Sequence, residues 1–313
     1  MNVISHGYIF SGNVPFVQCH ASTVLRLQNG ELLAAWFAGT REGHEDVMIW
    51  LSRRTEGAWT APVCVTEEQG IPHWNPVLFQ LDENRILLYY KIGHQIPYWQ
   101  TMVMESLDGG KTWSKARELV PGDAGGRGPV KNKAIRLSNG RILAPASIEQ
   151  GPWRCFLDVS EDGTFWEKKE VPVEDAQVNM IQPTLWEHPA GHVHALMRSN
   201  AGFVYRSDSL DFGETWSVAY PTSMPNNNSG LDCVRMDNGI LALVCNPVEK
   251  DWGPRSPLTL FLSEDNGDTF RKGMDLETEP GEFSYPAIIA QGDVLYVTYT
   301  WNRKKICFWE IKM

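Results

Sequence analysis

Four short polar clusters interrupt apolar runs in this sequence: His73-Trp74-Asn75, Lys131-Asn132-Lys133, Asn226-Asn227-Asn228-Ser229-Gly230-Leu231-Asp232 and Trp301-Asn302-Arg303. They set cationic and amide side chains close to indoles, in a chain that carries 13 Trp. Such groups suit an anionic, hydroxyl-rich ligand, because a guanidinium fork pairs with a carboxylate and an indole face packs on a pyranose ring. His73, Asn75, Lys131, Lys133, Asn228, Asp232 and Arg303 are therefore candidate binding residues. The blander reading of Lys131 and Lys133 is that they solvate a loop. His188, His192 and His194 lack the companion ligands of a zinc site, so no metal is expected, and no cofactor signature is visible.

Clusters so far apart meet only if a repeated architecture brings them together, and the sequence carries a repeat. Ser106-Leu-Asp108-Gly-Gly110-Lys-Thr112-Trp113 recurs as Ser209-Leu-Asp211-Phe-Gly213-Glu-Thr215-Trp216 and as Ser263-Glu-Asp265-Asn-Gly267-Asp-Thr269-Phe270. Ser160 to Trp166 is one residue short, and Ser52 to Trp59 keeps only the ends. The leading serines, at 52, 106, 160, 209 and 263, are spaced by 54, 54, 49 and 54. In phase with them, six turn-plus-apolar-run units begin near Asn29-Gly30, Glu83-Asn84, Asn139-Gly140, Ala190-Gly191, Asn238-Gly239 and Gln291-Gly292. Such dipeptides before apolar runs are hairpin signals, and no long 3.6-period stretch competes with them. A unit of about fifty residues with several short strands is the size of a propeller blade. The expectation is all-β: a six-bladed β-propeller of four-stranded blades forming one domain over residues 1–313. The Ser, Asp and Gly of each box should hold a turn between outer strands, with the Trp packed between blades.

Composition narrows the partners. With 28 Lys+Arg against 38 Asp+Glu the net charge is −10, which argues against nucleic acid or an anionic membrane. No apolar run reaches the roughly 18–20 residues of a membrane span. The six cysteines stand singly, as reduced thiols do. Met1 to His6 has neither a cationic start nor a long apolar stretch, so the expected compartment is cytoplasmic, or secreted or periplasmic if a leader has been removed.

The boxes resemble the Asp-box (BNR) repeats of the sialidase superfamily, over nearly the whole chain. The resemblance implies a sialidase-type propeller and assigns roles to residues between the boxes. Arg41 and Asp46, after the run Leu32 to Phe37, match an arginine and the acid/base aspartate. Arg198 and Arg255 match two arginines of the triad that grips the substrate carboxylate. Tyr285, in Phe283-Ser284-Tyr285-Pro286, matches the nucleophilic tyrosine. Two positions depart from the pattern: His20 stands where the first triad arginine is expected, and Gln182 where a glutamate normally activates the tyrosine. A phenol ionises near pH ~10 and needs a base or positive surroundings to attack at neutral pH. Glu282, Glu149 and Glu187 are candidates to replace that glutamate.

Three functions follow. The first is an exo-acting glycoside hydrolase on a terminal carboxylate-bearing sugar, in an oligosaccharide or glycoconjugate. Arg198 and Arg255 would hold the carboxylate, Asp46 would protonate the leaving oxygen and Tyr285 would attack. The second is a lyase acting on a uronate-containing glycan by β-elimination, with His20 or Tyr285 as base. The third is a non-catalytic glycan-binding propeller. For all three, His20, Arg41, Asp46, Arg198, Arg255 and Tyr285 should share one face, with the boxes at the periphery.

Overall fold

The structure is a computed structural model and describes residues 1–313. Its strands form six antiparallel sheets, the blades of a six-bladed propeller. Blade 1 is built from Gln18–Arg26, Leu32–Gly39 and Met48–Thr55, and blade 2 from His73–Gln80, Ile86–Ile92, Gln100–Ser106 and Arg117–Glu118. Blade 3 comprises Ile135–Arg136, Ile142–Ile148, Arg154–Ser160 and Glu167–Glu170. Blade 4 comprises Met180–Glu187, Val193–Ser199, Phe203–Ser209 and Tyr220–Pro225. Blade 5 contains Asp232–Arg235, Leu241–Cys245, Leu258–Ser263 and Arg271–Glu277. Blade 6 takes Phe283–Gln291, Val294–Trp301 and Lys305–Lys312 from one end of the chain and Asn2–Tyr8 from the other. The two ends of the sequence thus close the ring together.

The turn-plus-run signal marks the second strand of each blade. These strands are covered on both faces by neighbouring blades, so they read as continuous apolar runs instead of alternating ones. Leu32–Gly39, Ile86–Ile92 and Val193–Ser199 are buried at every residue. Outer strands meet water and read accordingly, as in Glu167–Glu170, which is Glu-Lys-Lys-Glu.

Five blades have the expected four strands, and blade 1 has five. Its outer edge is split into Ala58–Trp59 and Val63–Cys64, both pairing with Met48–Thr55. Pro62 lies between them and has no N–H to continue the ladder. A tight hairpin at Glu56-Gly57, both at positive φ, replaces the box turn that this unit lacks.

In the intact boxes the aspartate organises the turn. Asp108 accepts from Lys111 N (2.9 Å), Thr112 N (2.9 Å) and Thr112 Oγ1 (2.6 Å), while Ser106 Oγ accepts from Gly110 N at 2.8 Å. Asp211 and Asp265 repeat the pattern. Gly110 has φ +79°, and a Cβ there would lie 2.6 Å from Leu33 Cδ1 of blade 1. The box is thus also a contact between blades. The boxes follow the third strands of blades 2 to 5, at the same end as the Asn-Gly turns. The opposite end, where second strands finish and first strands begin, is left for a site.

Candidate functional site

Four of the six inner strands carry the same irregularity near that opposite end. Their registers shift between His20 and Thr23, Trp74 and Val77, Ile181 and Thr184, and Ser284 and Ala287. Within each shift one residue has a left-handed backbone: Ala21 (φ 56°), Asn75 (38°), Gln182 (57°) and Tyr285 (54°). An extra residue in one strand re-aims its side chain out of the pleat. In three of the four, a proline follows (Pro76, Pro183, Pro286), which has no N–H to leave unpaired in the broken ladder. Asn75, Gln182 and Tyr285 therefore reach the same pocket from blades 2, 4 and 6.

That pocket holds about 500 Å³. At its centre Tyr285 Oη accepts from Gln182 Nε2 (3.1 Å) and Arg198 Nη1 (3.3 Å). Arg198 Nη1 also donates to Gln182 Oε1 at 3.2 Å, which fixes the orientation of the amide. Arg198 Nε donates to Asn228 Oδ1 (2.9 Å), and Asn228 Nδ2 donates to Asp251 (2.9 Å), so Asn228 positions the arginine. Arg198 also faces an edge-on pair of indoles, 5.8 Å from each of the rings of Trp153 and Trp252, which are 6.4 Å apart.

Two further arginines line the pocket. Arg255 donates to Glu282 at 2.8 Å and lies 5.8 Å from the Tyr285 ring centroid. Arg303 donates through Nε to the same Glu282 oxygen (2.7 Å) and through Nη1 to Glu42. The wall is completed by Trp74, Trp99 and Ile96 on one side and by Glu149. The buried Asn75 Nδ2 and Trp99 Nε1 have no protein acceptor, so two donors stand unpartnered in this wall.

Other candidates lie elsewhere. His20 is 1% exposed and sits against Tyr285, ring centroids 4.2 Å apart, with Nδ1 on Thr300 Oγ1 (2.9 Å). Burial and then the charges of Arg303, Arg255, Lys131 and Arg198 hold its imidazole neutral, well below the usual range. Lys131 is buried near the same ring, 5.9 Å from its centroid, and donates to Asn132 (2.8 Å) and to the carbonyls of Leu231 (3.0 Å) and Pro286. Burial pushes its ammonium down to about 7, against the pull of Asp232. Lys133 donates to Asp232 (2.9 Å), which also accepts from Thr184 Oγ1 (2.6 Å) and Ile288 N (2.9 Å). This pair ties blades 3, 4, 5 and 6 together and does not line the pocket. His73 is fully buried on Thr66, and burial lowers it to about 4.

Arg41 and Asp46 occupy the exposed loop after the second strand of blade 1, and neither lines the pocket. The Asp46 carboxylate is turned into its own loop, accepting from Thr40 N (3.0 Å), Thr40 Oγ1 (2.6 Å) and His44 Nδ1 (2.7 Å). Burial acts to raise this carboxyl, but the bonds from Thr40 and His44 outweigh it and hold it below its ordinary value. Among the glutamates considered for Tyr285, Glu282 is engaged by Arg255 and Arg303. Glu187 is at the far end of blade 4, bonded to Ser138 and Gly191. Glu149 alone reaches the pocket without a protein partner. The sequence signal for it was positional: Glu149 follows the second strand of blade 3 much as Arg198 closes that of blade 4.

A six-bladed propeller with Asp boxes at one end and an arginine-lined, tryptophan-walled pocket at the other is a sialidase-type scaffold. The sequence matches the family described as BNR repeat-like domain over residues 30–297, and the chain belongs to that family as a divergent, sialidase-like member. Comparison with curated proteins gives no significant match. Among solved structures, a protein of unknown function from Dyadobacter fermentans aligns with TM-score 0.83 and 17% identity, over 99% of this chain and 98% of its own. The Hadza microbial sialidase Hz136 aligns with TM-score 0.80 and 16% identity, over 95% of this chain and 66% of its own. The NanB sialidase of Streptococcus pneumoniae aligns with TM-score 0.80 and 12% identity, over 98% and 70%. At such identities the likeness is one of fold, and this chain spans about two-thirds of those sialidases' length.

Proposed function

We propose that the protein is a glycoside hydrolase acting on a terminal carboxylate-bearing sugar, with Tyr285 as nucleophile. The observation that carries this reading is the setting of Tyr285 Oη: two N–H donors, one of them the Arg198 guanidinium, bond it inside a pocket holding Arg198, Arg255 and Arg303. A neutral phenol suits attack on a carbon next to a carboxylate, where an anionic nucleophile meets like-charge repulsion. Donors already aimed at the oxygen favour the charge it develops on losing its proton. Three arginines supply the carboxylate grip, and Arg303 takes the part that His20 cannot play from beneath Tyr285. The indoles of Trp153, Trp252, Trp74 and Trp99 offer faces for the sugar and its aglycone.

The second reading is β-elimination on a uronate. It is favoured by Gln182, since an amide cannot take the phenol's proton. His20 is a poor base for this purpose, because its free Nε2 is buried out of the pocket. Tyr285 would then be the base.

The test is incubation with a panel of acidic glycosides, followed both for released saturated sugar and for the ultraviolet absorbance of an unsaturated uronate. Saturated product lost in Tyr285→Phe supports hydrolysis. An absorbing product moves the assignment to elimination, and tight binding without turnover moves it to a lectin-like role.

A further inference from the structure

Under the hydrolase reading the leaving oxygen needs a proton, and the residue expected to give it, Asp46, faces away into its own loop. We propose that Glu149 is the proton donor of this site. The inference rests on that reading and adds the residue that completes it. Glu149 lines the pocket with Tyr285, Arg198 and Gln182, half-buried, and its carboxyl has no hydrogen-bond or ion-pair partner in the protein. A carboxyl left unpartnered among indoles and arginines is free to bond a ligand oxygen. Asp46 has three groups already donating to it and is 48% exposed.

Electrostatics agree with the geometry. Burial raises the Glu149 carboxyl above its ordinary value, Arg198 pulls it down and Glu42 pushes it up again. The other charged or titratable groups facing the pocket are Arg255, Arg303 and Tyr285. The carboxyl raised by burial and the phenol held by two N–H donors face the same pocket as separate groups, which is the arrangement an acid and a nucleophile require.

Tyr285 Oη forms a bond to the anomeric carbon and releases its proton to water, while the glycosidic C–O bond breaks and its oxygen takes the Glu149 proton. The Glu149 carboxylate then takes a proton from a water molecule that attacks the same carbon. The tyrosyl C–O bond breaks, and the phenolate recovers a proton from solvent.

The test compares Glu149→Gln with Asp46→Asn on two glycosides of one acidic sugar, one with an alkyl leaving group and one with a nitrophenyl group. Glu149→Gln should lose about 10²–10⁴-fold in turnover on the alkyl glycoside and less than about tenfold on the nitrophenyl one. Exogenous azide should restore its nitrophenyl turnover as glycosyl azide. The wild-type fall in kcat/KM at high pH should disappear from the variant's nitrophenyl profile. A misfolded or merely loosened site would lower both substrates together. Asp46→Asn losing the larger factor with the leaving-group signature, or an active Glu149→Gln on the alkyl glycoside, overturns the donor role alone. A wild-type protein that hydrolyses no acidic glycoside overturns the functional reading and the donor role with it. Independently of turnover, infrared titration of the Glu149 C=O band, assigned by its absence in Glu149→Gln, should show the carboxyl ionising above the range of an exposed glutamate. A Glu149 that ionises within or below the ordinary glutamate range also overturns the inference.

Discussion

Gln182 Nε2 donates to Tyr285 Oη across 3.1 Å, although the two residues are 103 positions apart. Both occupy the left-handed residue of an inner-strand bulge, in blades 4 and 6. The contact is therefore made by two copies of one local device. An amide at this position donates where a carboxylate would accept, so it supports a developing negative charge without removing the proton.

Gln182→Leu removes that donor and leaves Arg198 as the only one on Tyr285 Oη. A single hydrogen bond to a charging oxygen is worth about 1–3 kcal/mol, so kcat should fall by about 10–100-fold with KM nearly unchanged. Tyr285→Phe should cost at least about 10³-fold. Steady-state kinetics on the same acidic glycoside check both, and a Gln182→Leu enzyme at wild-type kcat would count against the role of the amide.

Carboxylate recognition should depend on the guanidinium shape. Arg303→Lys and Arg198→Lys keep the charge but lose the planar fork, and each should weaken binding of an acidic sugar by about 10–100-fold. The matching sugar amide should lose far less affinity. Calorimetric titration of wild type and variants with the two ligands measures the difference, and equal losses for both would mean that the arginines do not hold the carboxylate.

Gly110→Ala tests the box as a joint between blades. The substitution forces a side chain into φ +79° and sets a Cβ against Leu33. A cost of about 1–3 kcal/mol is expected, seen as a lower urea midpoint with the far-ultraviolet spectrum unchanged. A variant as stable as wild type would show that Leu33 yields freely.

The box carboxylates should leave a mark on acid unfolding. Hydrogen bonds from Thr269, then from Ser263, hold Asp265 down to about 2. Its folded value lies below the unfolded one of about 3.9, so its contribution is present above that pH and is lost as pH falls toward 2. Asp265→Asn should therefore be less stable than wild type at pH 5, with the gap narrowing by pH 3. Urea midpoints at the two pH values report it. A gap that stays constant would assign the effect to something other than ionisation.

The architecture was legible in the sequence because it is written in local, repeated chemistry. Ser-x-Asp-x-Gly-x-Thr-Trp satisfies its own turn through bonds within eight residues, and doubly covered strands are dominated by apolar residues. Both signals recur at about 54 residues, whatever the rest of the chain does. Arg198, Arg255 and Tyr285 are picked out by the resemblance to the sialidase pattern, which assigns roles to residues between the boxes. The direction of a side chain at a strand end is another matter, since it depends on a bulge and on the neighbouring blade. Nothing near Asp46 in sequence announces that Thr40 and His44 turn its carboxylate inward. Nothing near His20 announces that Tyr285 covers it. Lys133 and Asp232 are separate candidates in the sequence for binding a ligand, yet they pair with each other, and Thr184 and Ile288 N complete the contact from blades 4 and 6. Arg303 and Glu149 gained their places at the pocket only when the ring closed. Those assignments rest on contacts between residues tens to hundreds of positions apart, and such contacts exist only once six blades have packed around one axis.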